Sequence, residues 1–336
     1  MSTKILVTIG PSSLNKDTIL KLEKNGTDLF RINLSHTKIE DLKKVIEKIQ
    51  TWSSVPVCLD SEGAQIRNQD MESEAITFEK GKKLKIHKNF IKGDSGNISL
   101  TPNNVYGQLI EGDVIHVDFH SVALKISKVG EDVHIAEVIS PGKVGSNKAI
   151  NIDRDIELSP VTEKDIEAFE IGKSMGVENY SLSFTNSAED VRIVRDIIGK
   201  SNLISKIESI KGVLNLAEIL PLVDQILIDR GDLSREVEIE KIPFIQRRII
   251  AHAKSKNTPV YVATNLLESM IHSHVPTRAE VNDIASTLLM GADGLVLAAE
   301  TAIGKYPVQT VEMVNAVIKQ FNRWTPESSS RDIIFN

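Results

Sequence analysis

Residues 179–207 read NYSLSFTNSAEDVRIVRDIIGKSNLISKI, and this stretch contains the repeating unit on which the fold prediction rests. The run Asn179–Phe184 predicts a strand, the amphipathic stretch Ala188–Ile198 predicts a helix, and Leu203–Ile207 predicts a second strand. Apolar runs separated by helices are typical of parallel strands that are covered on both faces. The stretch therefore predicts a β–α–β unit within a parallel sheet.

The same unit recurs along the chain. Eight short runs rich in Val, Ile and Leu predict strands at Lys4–Gly10, Asp28–Leu34, Val55–Asp60, Asn179–Phe184, Leu203–Ile207, Gln225–Asp229, Pro259–Thr264 and Gly294–Ala298. Amphipathic stretches predict helices at Lys16–Glu23, Ile39–Gln50, Glu163–Met175, Ala188–Ile198, Ile242–Lys254, Arg278–Leu289 and Val308–Gln320. Eight alternations favour an α/β fold of the (β/α)8 TIM-barrel type over an open doubly wound sheet.

Composition and charge exclude several classes of protein. The chain has 336 residues, 41% hydrophobic and 26% charged, with a net charge of −6, which excludes disorder as the main state. A mild acidic excess without a basic block argues against a nucleic-acid partner. The apolar run in the first ten residues, MSTKILVTIG, is too short for a signal peptide. No segment of the sequence approaches the ~18 consecutive apolar residues of a membrane span. The single Cys58 predicts a reducing compartment, and we expect a cytoplasmic protein.

The strand–helix alternation is interrupted once, between the third strand and the helix at Glu163. Here KKLKIH, NISLTP, DVIHVDFH, VALKISK and DVHIAEVIS, separated by turn residues, predict a β-rich insertion. We expect a barrel domain at 1–67 and 153–324, an inserted domain at 68–152, and a frayed tail at 325–336. Because barrel active sites lie at the carboxyl ends of the strands, we interpret the insertion as a lid, with an assembly domain as the alternative.

Polar residues follow the predicted strands, where a barrel places its chemistry. Alternation within a strand places Lys206 with Glu208 on one face, and Arg31 with Asn33 on one face. Glu208 and Asp232 would offer oxygen ligands to Mg²⁺ or Mn²⁺, and Arg31 and Lys206 would supply positive charge to a phosphoryl group. The pattern favours a metal-assisted phosphate or carboxylate site over a structural ring of ion pairs.

Ser35 is expected to continue the alternation of Arg31 and Asn33. Three further residues are ambiguous on the sequence alone. Gly231 precedes a short turn whose amides would bind an anion, or it is an ordinary loop glycine. Thr264 would donate or transfer a proton through its hydroxyl, or it would end a strand without a role in the chemistry. His36 would contact a nucleotide, or it would serve a structural role.

The chain also contains a series of longer motifs. In order they are TKILVTIGPSS, LFRINLSHT, LDSEGAQIR, SKIESIKG, DRGDLS, VATNLLESMI, PTRAEVNDIA and GADGLVLAAETAIGKYP. Their order and spacing resemble those of the pyruvate kinase family over nearly all of the barrel and, more loosely, the insertion. The resemblance implies a TIM barrel with a small β-barrel lid after strand 3. It also implies phosphoryl transfer from phosphoenolpyruvate to ADP, which gives pyruvate and ATP.

The resemblance further implies a role for each matching residue. Lys206 would stabilise the transferring group, Arg31 would contact phosphate, and Thr264 would be linked to protonation of the enolate. Glu208 and Asp232 would bind Mg²⁺ or Mn²⁺. The amides of Gly231 and Asp232 would bind the substrate carboxylate. K⁺ would be bound by Asn33, Ser35, Asp60 and Ser61. The nucleotide would be contacted by His36, Arg67 and Lys148. A homo-oligomer is left open.

Some motifs depart from the family pattern. DTKGPEIR appears as DSEGAQIR, so that Glu62 replaces a lysine and Gln65 replaces an acidic residue that bears on K⁺ dependence. An anion at Glu62 is unfavourable beside phosphates unless a cation pairs with it. VDDG appears as VDFH, with Phe119 in place of an acidic residue, and ARGDLG appears as DRGDLS, which begins at Asp229.

The last helical pattern is followed by no counterpart of the family's C-terminal effector domain, and we expect that domain to be absent. Two alternative functions stay open at this point. One is metal-dependent enolate chemistry on another 2-oxo acid or enol phosphate without ADP. The other is a non-catalytic pseudo-kinase that only binds its ligands.

Overall fold

A computed structural model describes residues 3–118 and 121–335 of the chain. These residues form two compact units. The first contains the chain up to Gly63 and again from Pro160 onward, and the second is Ala64–Ser159. Phe119 and His120 of the VDFH motif lie outside the described residues.

The strands of the two units are β1 (Lys4–Ile9), β2 (Leu29–Asn33), β3 (Val57–Asp60), β4 (Ile66–Asn68), β5 (Ile76–Phe78), β6 (Lys83–His87), β7 (Asn97–Thr101), β8 (Val114–Val117), β9 (Val122–Lys128), β10 (Val133–Ser140), β11 (Gly142–Val144), β12 (Ala149–Ile152), β13 (Asn179–Leu182), β14 (Asn202–Ile207), β15 (Gln225–Asp229), β16 (Val260–Ala263) and β17 (Gly294–Leu297). The α-helices are α1 (Lys16–Lys24), α2 (Ile39–Trp52), α3 (Glu163–Ser174), α4 (Ala188–Ile198), α5 (Ile210–Leu214), α6 (Leu216–Ile219), α7 (Arg230–Leu233), α8 (Ile242–Ser255), α9 (Arg278–Leu289), α10 (Ala299–Ala302), α11 (Pro307–Arg323) and α12 (Ser330–Phe335). Single 3₁₀ turns lie at Leu34–His36, Asn103–Gln108, Leu220–Leu222, Ile239–Lys241 and Glu268–Ile271.

The first unit is a closed parallel barrel. Its described strands are hydrogen-bonded in the order β1-β17-β16-β15-β14-β13-β3-β2. This confirms the predicted (β/α)8 fold, and each of the eight predicted runs contains a barrel strand or overlaps one. The seven predicted helices are also present, because their apolar faces pack on the outward side chains of the strands. The connection from β14 to β15, where no helix was predicted, contains the short helices α5 and α6.

The barrel interior changes from apolar to polar along the strands. One layer of buried inward side chains is apolar and includes Leu6, Leu29, Cys58, Ile204 and Leu227. Two residues further along the same strands, the inward side chains are Thr8, Arg31, Asp60, Lys206 and Asp229, and these are also buried. The apolar layer therefore closes the barrel beneath a polar cluster at the carboxyl ends of the strands.

The second unit is a separate β-barrel. Its described strands close in the order β10-β6-β7-β4-β12-β8-β9, and β11 pairs with β5 in a small extra sheet. The apolar side chains of these strands form a hydrophobic core of their own. The β-rich insertion after strand 3 is therefore confirmed. The expected bounds of 68–152 differ from Ala64–Ser159 by a few residues, since β4 pairs with β7 and β12.

The C-terminal tail contains a short helix, where the sequence predicts a frayed end. Helix α12 begins after Ser329, whose hydroxyl accepts a hydrogen bond from Asp332 N at 3.2 Å. The Asp332 carboxylate in turn accepts the Ser329 N–H at 3.3 Å, so the two residues cap the first turn. None of the described helices combines the length and the apolar character that crossing a bilayer requires.

Three aspartates brace the amino-terminal end of the barrel in the same way. Asp28, Asp224 and Asp293 directly precede β2, β15 and β17, and their carboxylates accept the backbone N–H of Ile5, Leu203 and Val260 on the neighbouring strands. Each also pairs with a cation, namely Lys4, Arg195 or Lys254. Residues at this end of a TIM barrel serve stability rather than chemistry.

We expect Asp224→Ala to lower the free energy of unfolding by about 1–2 kcal/mol, because Leu203 N and Arg195 lose a partner. Urea unfolding followed by circular dichroism measures the change. Glu189→Ala removes an exposed i,i+3 pair with Arg192 on α4 and should change stability by less than about 0.5 kcal/mol. Equal losses in the two variants would contradict the bracing role of Asp224.

Candidate active site

Lys206 lies at the centre of the polar cluster. It is buried near the end of β14, and its Nζ lies 3.0 Å from Glu208 Oε1, 3.0 Å from Ser183 Oγ and 3.4 Å from Asp60 Oδ2. The ammonium thus donates hydrogen bonds to Ser183 and Asp60 and forms an ion pair with Glu208. The predicted shared face of Lys206 and Glu208 is what brings their side chains together.

Arg31 on β2 joins the same network through Asp60 on β3. Arg31 Nε donates to Asp60 Oδ2 at 3.0 Å, and both side chains are buried. Burial alone would lower the pKa of Arg31 and of Lys206, but the carboxylates, Asp60 foremost, raise both pKa values above normal. Arg31 Nη1 and Asp60 Oδ1 are buried without hydrogen-bond partners among the described residues. The network therefore keeps two fixed cations, with one donor and one acceptor still to be satisfied.

Three carboxylates beside Lys206 form a potential metal site. Glu208, Asp229 and Asp232 each present an oxygen, and these oxygens lie within 4.8 Å of one another. Burial raises the pKa of Glu208 to about 8; Lys206 opposes the shift, whereas Asp232 and Asp229 add to it. A set of hard oxygen donors with excess negative charge fits Mg²⁺ or Mn²⁺.

The amides predicted to hold a substrate carboxylate already donate hydrogen bonds to acceptors within the chain. Gly231 N donates to Thr264 Oγ1 at 2.8 Å and to Asp229 Oδ1 at 3.2 Å, and Asp232 N lies 3.5 Å from the same Asp229 oxygen. Thr264 has a φ of +68°, which is unfavourable for a β-branched residue. Arg230 donates to the Thr264 carbonyl at 2.5 Å and supports this conformation.

The residues predicted for a monovalent cation lie at the ends of β2 and β3. Asn33 and Asp60 are partners in the strand register, and the Ser61 carbonyl accepts the Ser183 hydroxyl at 2.7 Å. The expected alternation through Ser35 is wrong: Asn33 Oδ1 accepts Ser35 N at 2.9 Å and starts a 3₁₀ turn, so β2 ends at Asn33. Asp60 Oδ1, which accepts no hydrogen bond within the described ranges, is a suitable ligand for a cation.

Glu62 has the cationic partner that its position demands. Lys164 Nζ lies 2.7 Å from Glu62 Oε1 and donates to the Leu34 carbonyl at 2.6 Å. The Asp165 carboxylate accepts the N–H groups of Glu62 and Gly63 at 2.7 and 3.1 Å. Two residues of α3 therefore hold the loop after β3: Lys164 neutralises the charge of Glu62, and Asp165 fixes the backbone of the loop.

The predicted nucleotide residues are divided between the two units. His36 ends the 3₁₀ turn after β2 in the first unit. Arg67 and Lys148 belong to the second unit, where Arg67 Nη1 donates to Asn147 O at 2.9 Å and Lys148 Nζ lies 3.5 Å from Asp118. Their nucleotide role stays a prediction.

Three residues of the site were not assigned a role from the sequence. Ser183 follows β13 and Asp229 ends β15, so the strand-end rule that identified Lys206 applies to both. Lys164 lies on α3, and no sequence signal connects it to Glu62, since 102 positions separate the two.

Three comparisons place the chain among known proteins. The family described as "Pyruvate kinase, barrel domain" matches residues 1–311. A pyruvate kinase of Thermococcus litoralis is 36% identical over 327 residues, which are 94% of this chain and 69% of the relative. One of Mycobacterium tuberculosis is 33% identical over 325 residues, with the same coverage. The crystal structure of a pyruvate kinase from Cryptosporidium parvum has a TM-score of 0.84 and 30% identity, covering 97% of this chain and 70% of that one.

The thiol beneath the polar cluster should be unreactive. Cys58 is 1% exposed, and burial, with Asp60 adding to it, raises the pKa of its thiol. We expect no reaction of the folded protein with an aromatic disulfide reagent at pH 8, and one reactive thiol per chain after denaturation. Rapid labelling of the folded protein would show that the barrel interior opens readily.

Proposed function

Because the chain belongs to the pyruvate kinase family, we propose that Lys206, Arg31 and Thr264 carry the transfer of a phosphoryl group from phosphoenolpyruvate to ADP, giving pyruvate and ATP. The protein is a phosphotransferase of that family, and the reaction is the one that the relatives' name denotes. The observation that supports these residues is the buried cluster of Lys206 and Arg31 around Asp60. Its positive charges suit a group that carries negative charge throughout the reaction.

The proposed mechanism starts from the hydrogen-bonding groups of the cluster that have no partner among the described residues. Arg31 Nη1, which has no hydrogen-bond partner among the residues that the structure describes, would donate to a phosphoryl oxygen, and Lys206 would lie beside the same group. The bond between phosphorus and the enol oxygen breaks, and a terminal phosphate oxygen of ADP forms the new bond to phosphorus. The electron pair left on the enol oxygen makes an enolate, whose charge Lys206 stabilises. The enolate carbon then takes up a proton, and we assign the positioning of that proton to the Thr264 hydroxyl.

We assign the cofactors and remaining ligands to residues of both units. Glu208 and Asp232 would hold Mg²⁺ or Mn²⁺, which when bound supplies positive charge to the phosphoryl and enolate oxygens. Asn33, Ser35, Asp60 and Ser61 would hold K⁺, and the amides of Gly231 and Asp232 would take the substrate carboxylate once they exchange partners. His36, Arg67 and Lys148 would contact the nucleotide.

We also propose a role for the inserted unit and a cellular location. Ala64–Ser159 follows β3 in the chain, and the segments that follow barrel strands build the active site of a TIM barrel, which supports a function as a lid that excludes water. The buried, unpaired thiol of Cys58 supports a reducing compartment, for which we propose the cytoplasm.

The test of this function is a direct assay of both products. The protein is incubated with phosphoenolpyruvate, ADP and Mg²⁺ or Mn²⁺, with and without K⁺, and pyruvate and ATP are quantified. We expect equal amounts of the two products. Absence of both above the level of a Lys206→Ala control would overturn the proposal, and pyruvate without ATP would show that ADP is not the acceptor.

Lys206→Ala should lower kcat by about 10³-fold or more, because the developing enolate loses its buried cation. The folded structure should persist, and binding of oxalate, an enolate mimic, in the presence of Mn²⁺ should be retained. Steady-state kinetics and an oxalate titration measure the two effects. A variant that keeps wild-type turnover would remove Lys206 from the mechanism.

Ser183→Ala should lower kcat about tenfold with little effect on KM, since Lys206 loses one of its two hydrogen-bond acceptors. Ser181 is the matched control. It lies one inward position earlier on β13, and its hydroxyl is buried without a hydrogen-bond partner within the described ranges. Ser181→Ala should leave kcat unchanged. If both variants behave alike, Ser183 does not position Lys206.

A further inference from the structure

Asp229 differs from the other carboxylates of the site in its partners. Asp60 pairs with Arg31 and Lys206, Glu208 pairs with Lys206, and Asp232 pairs with Arg235 at 2.9 Å. In contrast, Asp229 is 5% exposed and has no cationic nitrogen within 4.0 Å in the part of the chain that the structure describes. Arg31 and Lys206 attract Asp229 only from beyond that distance, and a buried carboxylate without a direct ion pair is costly.

The hydrogen bonds to Asp229 are long. Both go to one oxygen, Oδ1, at 3.2 Å from Gly231 N and 3.5 Å from Asp232 N. Backbone N–H donors usually lie about 2.9–3.0 Å from their acceptor. The second oxygen, Oδ2, accepts no hydrogen bond from any described residue. Asp229 therefore has an oxygen available for a ligand that carries positive charge.

A second observation identifies where such a ligand would lie. Glu208 Oε1 is buried and, although Lys206 lies 3.0 Å away, it accepts no hydrogen bond of acceptable geometry within the described chain. Glu208 and Asp229 come from the adjacent strands β14 and β15, and Asp232 follows in the turn after β15. The ligand oxygens of all three lie within 4.8 Å of one another. The carboxylate of Asp229 therefore lies beside those of Glu208 and Asp232, the two residues already proposed to bind the divalent ion.

We propose that Asp229 is a third carboxylate ligand of the divalent metal site. The proposal rests on the assignment of Glu208 and Asp232 as metal ligands, and it adds a residue that stands where the related motif ARGDLG has alanine. Mg²⁺ is commonly held by one or two carboxylates and completes its coordination with substrate phosphate. A third carboxylate makes tight binding of the ion independent of substrate.

The experiment measures Mn²⁺ binding without any substrate, from the signal of the free ion in electron paramagnetic resonance. The intact wild-type chain is compared with Asp229→Ala and Asp229→Asn. The asparagine variant keeps an oxygen for the Gly231 amide but loses the charge. Asp283→Asn is the matched control, because it removes one carboxylate that pairs with Arg230 on the adjacent turn and lies outside the cluster.

We expect both Asp229 variants to bind Mn²⁺ at least tenfold more weakly than the wild type, while Asp283→Asn binds as the wild type does. Unchanged affinity in both Asp229 variants, or a loss confined to Asp229→Ala, would overturn the proposal and leave Asp229 as a cap of the turn. An equal loss of Mn²⁺ affinity in Asp283→Asn would also overturn the proposal, because it would show that the affinity depends only on the overall charge of the protein. Absence of Mn²⁺ binding by the wild type would also overturn it, whereas failure of the proposed reaction appears only in the product assay.

Discussion

The site depends on the pairing of Lys206 and Arg31 with one carboxylate, Asp60. Both cations are almost completely buried, and burial of an unpaired ammonium or guanidinium costs several kcal/mol per ion by order of magnitude. Asp60 Oδ2 accepts from both, so a single side chain on β3 connects β2 to β14 across the barrel mouth. The same pairing explains why Lys206 remains charged where a phosphoryl group would lie. Loss of Asp60 would therefore damage the fold and the chemistry together.

Much of this arrangement can be predicted from the sequence. Apolar runs are typical of buried parallel strands and therefore predict the barrel. The two-residue period of a strand predicts that Lys206 and Glu208 share the inward face. Ser35 was misplaced because the Asn33 side chain caps a 3₁₀ turn, a local hydrogen bond that competes with the strand. The helices α5 and α6 were missed because each covers little more than one turn, which is too short for a helical period to be recognised.

Contacts between distant parts of the chain set the limit of sequence prediction. Asp165 shows this clearly: its carboxylate receives N–H groups from Glu62 and Gly63, about a hundred positions earlier, and also from Thr162. Gly63 has a φ of +72°, and a Cβ there would lie 2.6 Å from the Ser183 carbonyl, so the loop requires glycine. The segments that leave and re-enter the barrel are thereby held by one buried side chain. The inserted unit has a hydrophobic core of its own.

Two departures from the family's motifs have opposite physical consequences. Glu62 introduces a negative charge, but Lys164 neutralises it at 2.7 Å, and the pair is about 30% exposed on each side, so solvent also screens it. Asp229 introduces a negative charge that is buried and has no ion pair among the described residues. The first substitution is compensated within the chain and needs no ligand to explain it. The second has no direct ion pair within the described chain, and Arg31 and Lys206 attract it only from beyond 4.0 Å, so a cation bound beside Glu208 and Asp232 would offset the cost of its burial. The two substitutions therefore differ in what they imply, and only Asp229 points to a change in what the site binds.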